Sequence, residues 1–190
     1  MGHVAKAFIA GTPQAEVIGQ TVLAFSENMQ ADIIAPLLPK HHLTQIDPKV
    51  WYPHQNWLNV LRDLEIQLGS RSSATFVAFG KEVVSTAVMP QAIKSIPDVL
   101  MALHDIHHLN LRNIPKDEGY GIEKRDEREY QVYHNTPNPD DVIYGFLWGL
   151  AARYKRLAEQ FAVRRLSQNP RPEICRSTFL VTWGPNDGKF

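Results

Sequence analysis

The chain has 190 residues, of which 44% are hydrophobic and 21% charged, with 20 Lys plus Arg against 20 Asp plus Glu and a formal charge of zero. That length suffices for one sizeable core, and the charge balance lacks the cationic surplus that nucleic-acid backbones and anionic membrane surfaces attract. Cys175 is the only cysteine, so neither an internal disulfide nor a thiolate zinc cage can form within one chain. A single domain over residues 1–190 is expected, ordered from about 13 to 184 and cytoplasmic, since one unpaired thiol suits a reducing compartment. The opening residues lack the basic stretch, apolar run and cleavage site of a signal peptide. No run of about 18 apolar residues occurs, so no membrane span is expected.

In chain order, Thr12-Pro13-x-x-Glu16 resembles a helix start, and Val17, Leu23, Phe25, Met29, Ile33 and Ile34 follow at mixed helical spacings, predicting helix from about Pro13 to Leu37, either continuous or bent or broken near Ser26. Trp51-Tyr52-Pro53 reads as a rigid connector. His54 to Leu68 reads as a helix whose apolar face carries Trp57, Leu58, Leu61, Leu64, Ile66 and Leu68, capped by Gly69. A helix from Ser72 or Ser73 to Met89 follows, then one starting at Ser95-Ile96-Pro97-Asp98 that turns Val99, Leu100, Leu103, Ile106 and His107 inward. From Ile114 to Asn138 the period becomes two, which predicts antiparallel strands around Asp126-Glu127. Asn138-Pro139-Asp140-Asp141 starts a helix that runs to about Glu159, with Ile143, Phe146, Leu147 and Leu150 on its core face. Two strands close the pattern, Phe161 to Leu166 and Ile174 to Trp183. The fold class is α+β: N-terminal helices packed with a small antiparallel sheet that is split by one long helix.

Several constellations could carry chemistry. His104 and His108 lie four apart on one helix face, a spacing that can chelate a metal; His107 lies on the apolar face, where a neutral imidazole could ligate a haem iron. Histidines near a helix C-terminus are also favoured by the dipole alone, and no metal site is assigned. Gly145-x-x-x-Gly149 allows close approach of a helix to a neighbouring element. Trp51-Tyr52-Pro53-His54-x-x-Trp57 could line a groove or merely make a corner. Cys175 reads as a buried strand thiol, and Lys124 to Glu129 as a solvated hairpin tip. No Walker loop, GxGxxG, GxSxG or HExxH is present, and no catalytic residue is nominated.

The order Leu103-His104-Asp105-Ile106-His107, then strands, then Gly145-Phe-Leu-Trp-Gly-Leu-Ala-Ala-Arg-Tyr154 resembles a superfamily that unites haem nitric oxide/oxygen binding domains, 4-vinyl reductase-like domains and Bet3-like TRAPP subunits. The Trp-Tyr-Pro corner, the Val132-Tyr-His-Asn-Thr-Pro137 run and the closing Cys175-x-x-x-Phe179-x-Val181 are similar to the 4-vinyl reductase-like branch. The haem branch implies His107 as proximal ligand and Tyr133 as the first residue of a Tyr-x-Ser-x-Arg motif that holds the propionates. Here Asn135 and Pro137 stand where that motif has Ser and Arg, which removes the bidentate carboxylate partner.

The resulting expectation is a non-enzymatic, regulatory ligand-sensing domain and homodimer, without a resident cofactor. Its apolar pocket would be lined by Trp57, Phe79, Leu103, His107, Phe146 and Trp148 and would take a small hydrophobic ligand. The alternatives are a haem gas sensor using His107 and Tyr133, and a Bet3-like structural subunit with a protein partner.

Overall fold

The computed structural model describes residues 4–28 and 31–185. Its elements in order are β1 (Glu16–Ile18), α1 (Gly19–Asn28), α2 (Ala31–Ile34), α3 (Leu37–Lys40), β2 (Trp51–Pro53), α4 (His54–Leu68), α5 (Ser72–Thr86), α6 (Ile96–Met101), α7 (Leu103–Asn110), β3 (Leu111–Arg112), β4 (Gly119–Asp126), β5 (Glu129–Asn135), α8 (Asp140–Tyr154), β6 (Glu159–Arg165) and β7 (Ser177–Pro185). This is the α+β class expected. A four-stranded antiparallel sheet has the order β4-β5-β7-β6, and α8 connects its two hairpins. A second, three-stranded sheet has the order β2-β1-β3. None of the described helices is long and apolar enough to cross a membrane.

The N-terminal third departs from the helix expected over Pro13 to Leu37. Glu16–Ile18 is a strand that pairs with both β2 and β3, and the described helical residues are Gly19–Asn28, Ala31–Ile34 and Leu37–Lys40. Trp51-Tyr52-Pro53 is β2, with Val17 opposite Tyr52. Pro53 closes that short strand and precedes α4, which fits a residue without a donor N–H at a strand end. On α4, Trp57, Leu58, Leu61, Leu64 and Leu68 are buried as the helical spacing requires, but Ile66 is 74% exposed and lies off that face. The single helix expected after Ser95 is two helices that meet at Ala102, and the Ser95 hydroxyl accepts from the Asp98 amide as an N-cap. The helix begun at Asp140 stops at Tyr154, short of Glu159, which belongs to β6.

Two clusters of buried side chains make the interior. One gathers Val22, Ile34, Trp57, Leu61, Phe76 and Phe79 from the N-terminal helices. The other gathers Leu100, Leu103, Ile106 and the inner face of α8 against Val132, Phe179 and Val181 of the sheet. Helices α5 and α8 supply side chains to both, and three glycines let them approach backbone to backbone. A Cβ on Gly145 would stand 2.0 Å from the Val77 carbonyl oxygen, and one on Gly80 would stand 2.1 Å from the Val142 carbonyl oxygen. At Gly149 the nearest atom would be Val84 Cγ2, at 2.9 Å. The small-residue spacing read from the sequence is thus a helix–helix contact, completed by Gly80 on the facing helix.

A polar network fixes the start of α8. The buried His134 ring lies 2.7 Å from Thr136 Oγ1 through Nε2 and 3.2 Å from Ser177 Oγ through Nδ1. The Ser177 hydroxyl donates to Asp140, and Arg176 donates to the carbonyl oxygens of Thr136 and Asn138. Burial, helped by the Arg176 charge and outweighing Asp140, pushes the His134 ring down to about 4. At the start of α4, burial and then the His107 charge push His54 down to about 3.

Two outcomes follow. Gly145→Ala and Gly80→Ala each force backbone apart and should lower unfolding free energy by about 1–3 kcal/mol in urea titration, with Gly149→Ala milder because a side-chain methyl can shift. Both histidines titrate below their unfolded value of 6.5, so the unfolded chain binds protons that the folded chain refuses. Stability should be full above pH 6.5 and fall as pH drops toward 4, by on the order of 2 kcal/mol per histidine at pH 5. His134→Gln, which has no ring to titrate, should flatten that slope.

Candidate functional site

The two core clusters do not close completely where they meet. A cavity of about 70 Å³ lies at their seam, walled by α1, α4, α5, α7, β3, β4 and α8. Trp57, Phe79 and Val142 face it from one cluster, and Ile106, Ile143 and Phe146 from the other. Trp57 and Phe79 meet edge to face, with ring centroids 5.6 Å apart. The polar residues on the wall are Thr21, His107, Asn110, Tyr120 and Asn138, and no Lys, Arg, Asp or Glu is among the lining residues.

Four of the residues expected at a pocket, Trp57, Phe79, His107 and Phe146, surround this cavity. Leu103 and Trp148 do not. Leu103 is fully buried inside the sheet-side cluster. Trp148 is 36% exposed on the outer side of α8, where it packs on Phe161 beneath the Lys81 ammonium. Helical geometry accounts for this: Phe146 and Leu150 share the inner face, and Trp148, two positions from each, points away.

His107 is held from behind. Its Nε2 lies 3.3 Å from Oε1 of Glu118, a carboxylate with no exposed surface. The other oxygen of Glu118, Oε2, has no hydrogen-bond partner among the described residues. Tyr120 meets the His107 ring edge to face at 5.9 Å, and burial pushes its phenol up. Gly119 keeps this corner open. Its φ of +143° is glycine territory, and a Cβ there would stand 2.7 Å from His104 Nδ1. The His104 and His108 rings lie tilted against each other with centroids 4.5 Å apart, and His108 Nε2 lies 2.9 Å from the Glu118 carbonyl oxygen. Among the described residues no group of three or more His, Cys, Asp or Glu could hold a metal ion.

Tyr133 and His107 are not brought together. Alternation along β5 puts Val132 and His134 inside and turns Tyr133 to a separate groove of about 500 Å³. There the Tyr133 hydroxyl donates to Glu123 over 2.5 Å, and Arg171 covers the ring. Cys175 lines the same groove, buried as expected, with Sγ 3.3 Å from the Arg171 carbonyl oxygen. The Tyr133 hydroxyl raises its own affinity for its proton through burial and then through Glu123, whose carboxyl the same bond holds low.

These residues do not fit haem in this arrangement. The Nε2 of His107 faces the Glu118 carboxylate. The cavity is several-fold smaller than the ~300–1,000 Å³ of cofactor sites, and its wall has no cation for a propionate. The two positions after Tyr133 in the propionate motif serve the backbone: Asn135 accepts from the Ala5 amide and donates to the Asp117 carbonyl, and the Pro137 carbonyl accepts from the Phe8 amide. The sequence offered no sign of Glu118 or Thr21, because one sits in a polar loop and the other is an isolated hydroxyl in a helix.

No family model matches the chain, and no curated protein matches it. Solved structures do. A Cs H-NOX mutant carrying 4-cyano-L-phenylalanine superposes with a TM-score of 0.65 at 11% identity, covering 88% of this chain and 95% of that one. A mutant of T. tengcongensis H-NOX gives 0.63 at 11% identity, covering 88% and 96%. An H-NOX protein from S. oneidensis in the Fe(II)NO ligation state gives 0.63 at 13% identity, covering 88% and 99%. The 4-vinyl reductase-like and TRAPP branches of the resembled superfamily gain no separate support from these neighbours. The chain therefore has an α+β fold like that of the H-NOX structures.

Proposed function

We propose that this chain is a non-enzymatic sensing domain whose ligand, a small apolar molecule, enters the cavity beside His107. The observation that carries the reading is the cavity itself, an apolar-walled space between two otherwise filled clusters, lined by Trp57, Phe79, His107 and Phe146. Its lining has no Lys, Arg, Asp or Glu, which suits a neutral guest. Helices α5 and α8 both line the space and both reach the sheet-side cluster, so a guest that displaces either helix is felt across the molecule.

Haem gas sensing is the second reading. Its support is the H-NOX fold of the neighbours and the place of His107 on the cavity wall, and of the two readings it draws more from the comparisons. The hold of Glu118 on His107 and the small cavity volume favour the first.

Titration with hemin separates them. On the first reading no saturable Soret band forms, and His107→Ala leaves the titration unchanged, while xenon shifts the NMR signals of Val83 and Ile143. A one-to-one hemin complex that is lost in His107→Ala would overturn it in favour of haem. A native mass spectrum of the protein from its own host reports any retained ligand, and whether the chain is the homodimer expected from its sequence.

A further inference from the structure

The cavity wall carries a buried hydroxyl, that of Thr21, without a hydrogen-bond partner among the described residues. Three polar neighbours on the wall, Asn110, Asn138 and His107, are engaged. The Asn110 side chain donates to the carbonyl oxygens of Val88 and Ile106 and accepts from the Val88 amide. Asn138 donates to Thr136, and His107 Nε2 is held by Glu118. A buried hydroxyl left unpaired costs about 1–3 kcal/mol, and threonine at a helical position could have satisfied its own hydroxyl on the preceding turn. It does not do so here.

We infer that Thr21 is the recognition group of this cavity, and that the ligand is a small neutral oxygen compound, an alcohol or ketone with a short apolar body. The inference rests on the cavity being the ligand site. Three features define the class. The space of about 70 Å³ holds roughly five water-sized positions, since each needs about 10–15 Å³ by the same measure. That excludes extended chains and fused rings. The absence of Lys, Arg, Asp and Glu from the lining disfavours carboxylates and amines, which lose their hydration there without a strong counter-charge. The apolar remainder, Trp57, Phe79, Val83, Ile143 and Phe146, matches a hydrocarbon body, and the free hydroxyl on α1 matches a single oxygen. A hydroxyl both donates and accepts, so alcohols and ketones are equally served. The site would reject the hydrocarbon of the same shape only weakly, because the unpaired hydroxyl is already present without a ligand.

The test uses the full chain, with 2-butanol and xenon as probes and the methyl NMR signals of Val83, Ile106 and Ile143 as readout. Both probes should enter the wild type. Thr21→Val keeps the shape of the side chain and removes an unpaired hydroxyl, so it should melt no lower than the wild type. It should bind 2-butanol about tenfold more weakly, the loss of one hydrogen bond, and xenon unchanged. Ala87→Leu, which fills the space from the end of α5, should exclude both probes. Equal 2-butanol affinity in wild type and Thr21→Val overturns the role of Thr21 and leaves the cavity reading standing. So does entry of xenon without 2-butanol, which would mean that the hydroxyl serves water only. If neither probe enters the wild type, the cavity reading itself falls, and this inference falls with it.

Discussion

The contact between α5 and α8 determines where everything else can sit. Backbone touches backbone at Gly80 and Gly145, so the two helices form one rigid unit that serves both core clusters. Side chains on one side of the unit, such as Phe76, Phe79 and Val142, complete the N-terminal cluster. Side chains on the other, such as Val84, Phe146 and Leu150, cover the sheet. Two helices this close cannot also fill the space at the margin of their own contact. The cavity lies at that margin, with Val83 from one helix and Ile143 and Phe146 from the other on its wall.

Much of this was legible in the chain. The switch from helical spacing to alternation after Ile114, the turn at Asp126-Glu127 and the start at Asp140 all survive within a few residues, because each rests on a local pattern that burial reinforces. What failed has physical reasons. A three-residue strand such as β1 has no period to read, and its pairing with β2 and β3 joins residues far apart in the chain. Ile66 was placed on the apolar face of α4 and Trp148 on a pocket wall because they are apolar, yet their helical phase turns both out. Tyr133 was grouped with His107 by resemblance, and strand alternation separates them. Glu118 and Thr21 carry no sequence signal, because a buried partner eleven residues from its histidine and an unpaired hydroxyl exist only in three dimensions.

The pair of His107 and Glu118 gives the site its character. An imidazole on an apolar wall is open to many uses, from iron ligation to plain packing. A carboxylate with no solvent contact, placed 3.3 Å behind it, commits one nitrogen and fixes the ring. The surrounding segment is tied down by Asn135 and by the backbone bonds of Ala5 and Phe8, so the corner is braced from the N-terminal residues as well as from the sheet. A fold similar to that of H-NOX proteins thus holds, beside its cavity, a histidine already supplied with a partner.

The sheet order β4-β5-β7-β6 also shapes how the chain acquires its structure. The strand beside β5 is β7, the final strand of the described chain, and more than forty residues separate Tyr133 from its partner Thr178. The β4–β5 hairpin must therefore wait with one inner edge open, and a lone hairpin is marginal in water. Helix α8 lies between the two hairpins in sequence and can dock on α5 beforehand through its glycines. Sheet closure is then the slow, long-range step, because its loop must be closed before its hydrogen bonds form. The interval leaves β5, with its Tyr, Val and His side chains, as the surface most exposed to pairing with the wrong strand.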